Sequence, residues 1–209
     1  AREHPDRYAV MGRISVRALP TAHGALKSWR AQPGMLGVRL AFNNQWAAPL
    51  LTEGKVDWLW QEAEACGVPL MVLVWHSQMH FIDAVAQRHP QLRIVLDHFA
   101  LDSRERDAAA FKDFDQLLAM AKHPNVAAKA SALPCYTNDT YPYRSLHPYI
   151  KQAYDAFGPQ RLFWGTDLSR SPISYRQQVT MFAEEIPWLS DEDKTWIMGR
   201  GVCEWLGWR

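Results

Sequence analysis

The sequence predicts an α/β protein, an incomplete (β/α)8 TIM-like barrel with six βα units visible. Two observations carry that prediction. A turn signal containing Pro or Gly, followed by a short apolar run, recurs with starts about 25 to 35 residues apart, the length of one βα unit. Two of the runs, Arg93-Ile94-Val95-Leu96-Asp97-His98 and Arg161-Leu162-Phe163-Trp164-Gly165-Thr166-Asp167, stop at a side chain able to hold a metal or move a proton. A short apolar run without alternation reads as a strand buried on both faces. Parallel strands that deliver such groups at their carboxyl ends are how a barrel builds an active site.

The elements follow in chain order. Glu3-His4-Pro5-Asp6-Arg7 precedes a first strand, Tyr8-Ala9-Val10-Met11-Gly12, and Ala1 to His4 reads as a helix end running into it. Gln32-Pro33-Gly34 leads into Met35-Leu36-Gly37-Val38-Arg39-Leu40. Val56 to Ala65 is amphipathic and closes on Cys66-Gly67, a helix stop, before Val68-Pro69 opens the strand Leu70-Met71-Val72-Leu73-Val74-Trp75. Arg88-His89-Pro90 introduces the run that ends at His98. Asp107 to Ala121 carries Ala110, Phe111, Phe114, Leu117, Leu118 and Ala121 at helical spacing. Lys122-His123-Pro124 then leads to Asn125-Val126-Ala127-Ala128-Lys129. Leu146 to Phe157 is helical through Tyr149, Ile150, Ala153 and Phe157, and Gly158-Pro159 opens the run that ends at Asp167.

No linker, charge run or low-complexity segment divides residues 1–209, which predicts a single barrel domain. An open doubly wound sheet would suit six strands, but the Gly-rich phosphate turn that normally follows an early strand is missing. A closed barrel needs eight strands, so the pattern predicts a barrel without the first two βα units of its N-terminal part. Free sheet edges then predict association, such as a homo-oligomer, or a replacement element.

Composition narrows the function classes. A chain of 209 residues buries a sizeable core, and 48% hydrophobic with 22% charged residues is ordinary for a globular protein. A net charge of +1 gives no reason to expect nucleic acid or an anionic membrane as partner. No apolar stretch has the length of a membrane span, and Ala1-Arg2-Glu3-His4-Pro5-Asp6 does not read as a signal peptide. Cys66, Cys135 and Cys203 are far apart and lack metal-type spacing, the pattern of reduced thiols in a cytoplasmic protein. The ten tryptophans read mainly as core or interface bulk.

Each ionisable strand ending has a structural and a chemical reading. Asp167 either caps the following helix or serves as ligand or general base for a water. His98 is either a satisfied core histidine or a group for metal ligation or proton transfer. Asp97 faces away from His98 along a strand and is expected to anchor neighbouring backbone. His76 closes Leu73-Val74-Trp75-His76 and is a third candidate, although His80 follows in the same polar loop. Arg39 and Lys129 interrupt apolar strands, and each either pairs with an internal acid or holds a substrate carboxylate. Arg170 lies just past Asp167, where it meets substrate or a loop acid. Tyr136, Tyr141 and Tyr143 fall in a long polar loop after Lys129 that would shape specificity. No Gly-x-Ser-x-Gly elbow is present and no cysteine has a nucleophile context, so attack by an activated water is the expected chemistry.

Ile94-Val95-Leu96-Asp97-His98-Phe99, Val126-Ala127-Ala128-Lys129-Ala130-Ser131 and the run ending Trp164-Gly165-Thr166-Asp167, in that order, resemble the amidohydrolase-2 family, which includes pyrone dicarboxylate lactonases and sugar-lactone hydrolases and has decarboxylases as relatives. The resemblance extends from Gly37-Val38-Arg39-Leu40 to Cys203-Glu204-Trp205-Leu206-Gly207. It implies a metal-dependent (β/α)8 hydrolase in which Asp167 activates water, His98 binds metal or polarises the scissile carbonyl, and Arg39 helps bind a substrate carboxylate. His76 lies where metal-binding relatives carry another histidine. The family's first strand ends in His-x-His, which this chain lacks; His76 with His80, and His4 with His23, do not substitute. The simplest account places the pair on a segment absent from this sequence. A divalent metal, zinc first, is then the expected cofactor, with His98 and Asp167 as ligands and its affinity weakened or lost without the pair.

The sequence thus predicts a hydrolase of a small cyclic ester or amide, with a carboxylate-bearing lactone as small-molecule substrate. Asp167 and His98 are its catalytic residues, and Arg39, Lys129, Arg170 and His76 its substrate contacts. A metal-dependent decarboxylase on the same scaffold, and a non-catalytic barrel serving as a binding or assembly module, are the alternatives.

Overall fold

A computed structural model describes residues 1–15 and 18–208 of the chain. Six parallel strands form one sheet in sequential order: β1 (Val10–Gly12), β2 (Met35–Ala41), β3 (Leu70–Leu73), β4 (Ile94–Leu96), β5 (Val126–Ser131) and β6 (Leu162–Gly165). Sequential parallel order is what right-handed βα units wound in one direction produce, and here it makes a half-barrel. Among the described residues β6 does not pair with β1, so the sheet has two free edges.

The connections carry short helices: α1 (Ala48–Thr52), α2 (Asp57–Ala65), α3 (Met79–Arg88), α4 (Asp107–Ala110), α5 (Asp115–Ala119), α6 (His147–Phe157), α7 (Tyr175–Ala183), α8 (Asp191–Thr195) and α9 (Gly201–Leu206). The helix expected over Asp107 to Ala121 is broken into α4 and α5, because Phe111 and Phe114 turn together into the core, their rings 5.4 Å apart. Ala1 to His4 is not helical.

The two faces of the sheet differ in kind. The convex face and the helices share the main core, which includes Val38, Leu40, Leu70, Val72, Ile94, Leu96, Val126 and Leu162. Alternation sends the intervening residues to the concave face. There Met71, Val95, Ala127 and Phe163 form a small second cluster, joined by Met11, Val202 and Trp205. Trp205 belongs to α9 and meets Phe163 edge-on, ring centroids 6.0 Å apart, so α9 closes the floor under the amino ends of the strands.

Arginines hold that floor in place. Helix ends leave carbonyls without intrahelical partners. Arg93 donates to the carbonyls of Glu204 and Trp205 at 3.3 and 2.7 Å, and Arg30 to that of Leu206 at 3.2 Å. Trp208 then donates its indole N–H to the Pro5 carbonyl at 3.0 Å, tying the end of α9 to the approach to β1.

The concave cluster is small, so one large truncation there removes much of its contact area. Phe163→Ala is expected to lower unfolding free energy by about 3–5 kcal/mol, read as a drop in the urea midpoint with an unchanged denaturant slope.

Candidate functional site

Above the apolar floor, the next concave layer is charged. Asp97 follows Val95 by two residues and points the same way, its carboxylate fully buried. Arg39 of β2 donates its Nε–H to one oxygen at 2.6 Å, and Lys129 of β5 donates from Nζ to the other at 2.9 Å. Burial pushes the Asp97 carboxyl up, but the ammonium of Lys129 and the guanidinium of Arg39 outweigh it and hold Asp97 below the usual carboxylate range. Asp97 therefore binds two side chains from flanking strands rather than neighbouring backbone as expected. Of the two readings for Arg39 and Lys129, the structure shows pairing with an internal acid. Arg39 spends only Nε on it: its two Nη groups have no hydrogen-bond partner among the described residues, and its side chain is 22% exposed.

Strand alternation stops at Asp97 because the backbone turns left-handed. His98, Phe99 and Ala100 have φ of 51°, 53° and 56°. Asp167, past the end of β6, has φ 50°. Left-handed backbone costs about 1–2 kcal/mol per residue without glycine. The surroundings hold it: Phe99 and Ala100 are fully buried, the Phe99 ring packs edge-on against Phe114 with centroids 5.4 Å apart, and His76 donates Nε2–H to the Phe99 carbonyl at 2.9 Å. The two turns bring His98 and Asp167 together from strands that are not neighbours. His98 Nε2 lies 3.5 Å from Asp167 Oδ2, and Arg170 Nη1 lies 3.6 Å from the same oxygen. His98 Nδ1 is 2.7 Å from Ser131 Oγ. Burial pulls the His98 pKa down, so the ring is neutral near pH 7.

The predicted site residues separate into two groups. His98, Asp167 and Arg170 meet directly, and Arg39 with Lys129 lie one layer below through Asp97. His76 does not join them; burial pulls its pKa down, and it braces the turn that carries His98. The loop after β5 is not a polar surface loop, since Leu133 to Tyr136 and Tyr143 are buried. Ser131 escaped the sequence reading. Its signal was present, because it follows Lys129 by two and so shares its face.

The spacing of His98 Nε2 and Asp167 Oδ2 bears on a metal. Two ligands of one tetrahedral zinc, each at about 2.0–2.2 Å, stand roughly 3.4 Å apart, close to the 3.5 Å found. A catalytic zinc takes three protein ligands, and among the described residues no cluster of three His, Cys, Asp or Glu is present. Among the described residues His98 and Asp167 therefore supply two ligands of such a site and not the third. Two clefts of about 460 Å³ flank the structure. One, beside Trp205 and Arg93, lies at the amino ends of the strands, where barrels carry no chemistry. The other opens next to Arg170, between Arg106, Cys135, Asn138 and Tyr143, on the side of the candidate site.

Comparison with known proteins bears on the family and the fold. A model of the amidohydrolase family matches residues 1–200. Over 86 residues the chain is 37% identical to an L-fucono-1,5-lactonase of Burkholderia ambifaria, a stretch covering 40% of this chain and 29% of that protein. The chain thus matches under a third of that relative's length. An amidohydrolase of Burkholderia multivorans, solved with bound zinc, superposes with a TM-score of 0.82 at 22% identity, over 99% of this chain and 76% of that one. A probable 2-pyrone-4,6-dicarboxylic acid hydrolase of Acinetobacter baumannii, with citric acid bound, gives 0.75 at 19% identity over 98% and 75%. A 5-carboxyvanillate decarboxylase of Sphingomonas paucimobilis gives 0.63 at 14% identity over 99% and 69%. At these identities the structural likenesses establish a shared fold.

Removing the acid at the centre of the charged layer leaves Lys129 and Arg39 facing each other uncompensated. Asp97→Asn is expected to cost about 3–5 kcal/mol at pH 7, measured by urea denaturation. A carboxyl depressed in the folded chain stabilises fully above its unfolded value, about 3.9, and that contribution is lost as pH falls through the lower folded value. The gap between wild type and Asp97→Asn should therefore narrow below about pH 4.

Proposed function

We propose that this chain, which belongs to the amidohydrolase family, opens a small cyclic ester bearing a carboxylate by attack of an activated water. The observation that carries the reading is the meeting of His98 and Asp167 at the carboxyl ends of their strands, above a guanidinium with an unspent fork. Asp167 Oδ2 is the group that takes the proton from water as its oxygen adds to the ring carbonyl. The carbonyl oxygen gains charge in that step, and His98 Nε2 is placed to donate a hydrogen bond to it. Collapse of the tetrahedral intermediate breaks the ring C–O bond. The alkoxide recovers the proton from Asp167, and the new carboxyl group ionises to solvent.

Arg39 supplies the anion contact. Its Nε is fixed by Asp97, which orients the plane of the guanidinium and leaves two parallel N–H groups for a carboxylate. Lys129 contributes positive potential through Asp97 rather than a free ammonium. The lactonase relative makes L-fucono-1,5-lactone, which has no free carboxylate, the neutral compound to test, and the pyrone hydrolase makes a pyrone dicarboxylate the charged one.

A panel of lactones with and without carboxylates, followed by proton release and product identity, tests the reading. Ring opening that is lost in Asp167→Asn, with the far-ultraviolet circular dichroism unchanged, is the expected outcome. Carbon dioxide release without ring opening would mark a decarboxylase, and no turnover across the panel would favour a binding module. Arg39→Lys keeps the charge beside Asp97 but loses the fork. It should raise KM for carboxylate-bearing lactones about tenfold and leave neutral lactones unaffected.

A further inference from the structure

We propose that Ser131 is a positioning residue: its hydroxyl donates to His98 Nδ1 and so fixes the proton of the neutral ring on Nε2. The inference rests on the reading of His98 as the group facing the scissile carbonyl. It begins from an isolated buried contact. Ser131 is 1% exposed, His98 is 2% exposed, and the 2.7 Å contact between them is the one hydrogen bond of the Ser131 hydroxyl among the described residues.

A neutral imidazole carries one N–H, and its position is set by what each nitrogen faces. On the far side of the ring, Nε2 faces the Asp167 carboxylate at 3.5 Å. A bare Nε2 would set its lone pair against an anionic oxygen, whereas Nε2–H would point a positive hydrogen at it. The second arrangement is favoured electrostatically, and it requires Nδ1 to be the acceptor. A backbone carbonyl or a carboxylate at the position of Ser131 would force the opposite tautomer, because those groups only accept. A hydroxyl donates, so serine permits the ring to present Nε2–H.

The opposite strand is adapted to this contact. Ser131 pairs in register with Gly165 of β6. A Cβ added to Gly165 would stand 3.2 Å from the Ser131 Cβ and 3.1 Å from the Lys129 Cε. The glycine before Thr166-Asp167 therefore leaves room for two side chains of β5, the one that holds His98 and the one that holds Asp97.

The tautomer can be read without any substrate. In protein dialysed against a chelator, long-range proton–nitrogen correlation of the His98 ring should show Nε2 protonated and Nδ1 bare in the wild type. Ser131→Ala should redistribute the proton between the two nitrogens, and Ser131→Thr, which keeps the hydroxyl, should restore the wild-type pattern. A wild-type ring protonated at Nδ1, or a ring unchanged in Ser131→Ala, would overturn the proposal whether or not any lactone is hydrolysed. With a lactone that turns over, kcat should fall about ten- to a hundredfold in Ser131→Ala with KM unchanged, and recover in Ser131→Thr. Equal losses in the two variants would also overturn it. Loss of lactone turnover alone, with the tautomer as stated, would count against the hydrolase reading and not against Ser131.

Discussion

The carboxylate of Asp97 is the constraint on which the concave face depends. It is fully out of water and clasped by a guanidinium from β2 and an ammonium from β5. Taking one anion and two cations out of solvent is unfavourable unless the geometry is close, and both contacts here are short. The result is a charged layer that joins β2, the end of β4 and β5 through side chains, above an apolar layer in which residues of β3, β4, β5 and β6 pack together. The hydrogen bond from Nε to Asp97 turns the long, flexible side chain of Arg39 into a fixed fork.

The site above that layer is assembled by backbone conformation more than by strand geometry. His98 and Asp167 both sit where the chain leaves its strand in the left-handed region, and at His98 the cost is met by the buried Phe99 and Ala100. His76 contributes through the carbonyl of Phe99, one residue beyond His98. Strain held by packing at a pair of facing ionisable groups is a feature of sites that must be preorganised.

Much of this was legible from the residues. The strand runs ending near His98 and Asp167 were readable because a strand buried on both faces leaves a continuous apolar signature between turn signals. Arg39 and Lys129 stood out for the same reason, as charges inside such runs. The role of Asp97 was not legible, because alternation places it opposite His98 and only the left-handed turn puts both on one side. Ser131 carried a signal of position only: two residues past Lys129 it shares that residue's face, but a serine there names no chemistry until its partner is known. His76 looked like a third member of the cluster because sequence gives the strand it follows but not the direction in which its ring leaves the loop. The break between α4 and α5 was likewise hidden, for the apolar spacing over Asp107 to Ala121 suits a continuous helix and the core claims two adjacent aromatic turns instead.

The floor formed by α9 bears on how the chain reaches this state. Trp208 bonds to Pro5 across 203 positions of sequence, and Arg30 to Leu206 across 176. Contacts of such separation carry a large loop-closure entropy that must be met before they form. The strands and their helices pair with near neighbours and can assemble progressively as the chain is synthesised. The concave cluster can close only after Trp205 has been made, so the half-barrel passes through a period in which Met71, Val95 and Phe163 have no floor beneath them. That interval, rather than the finished fold, is when the chain is most exposed to aggregation.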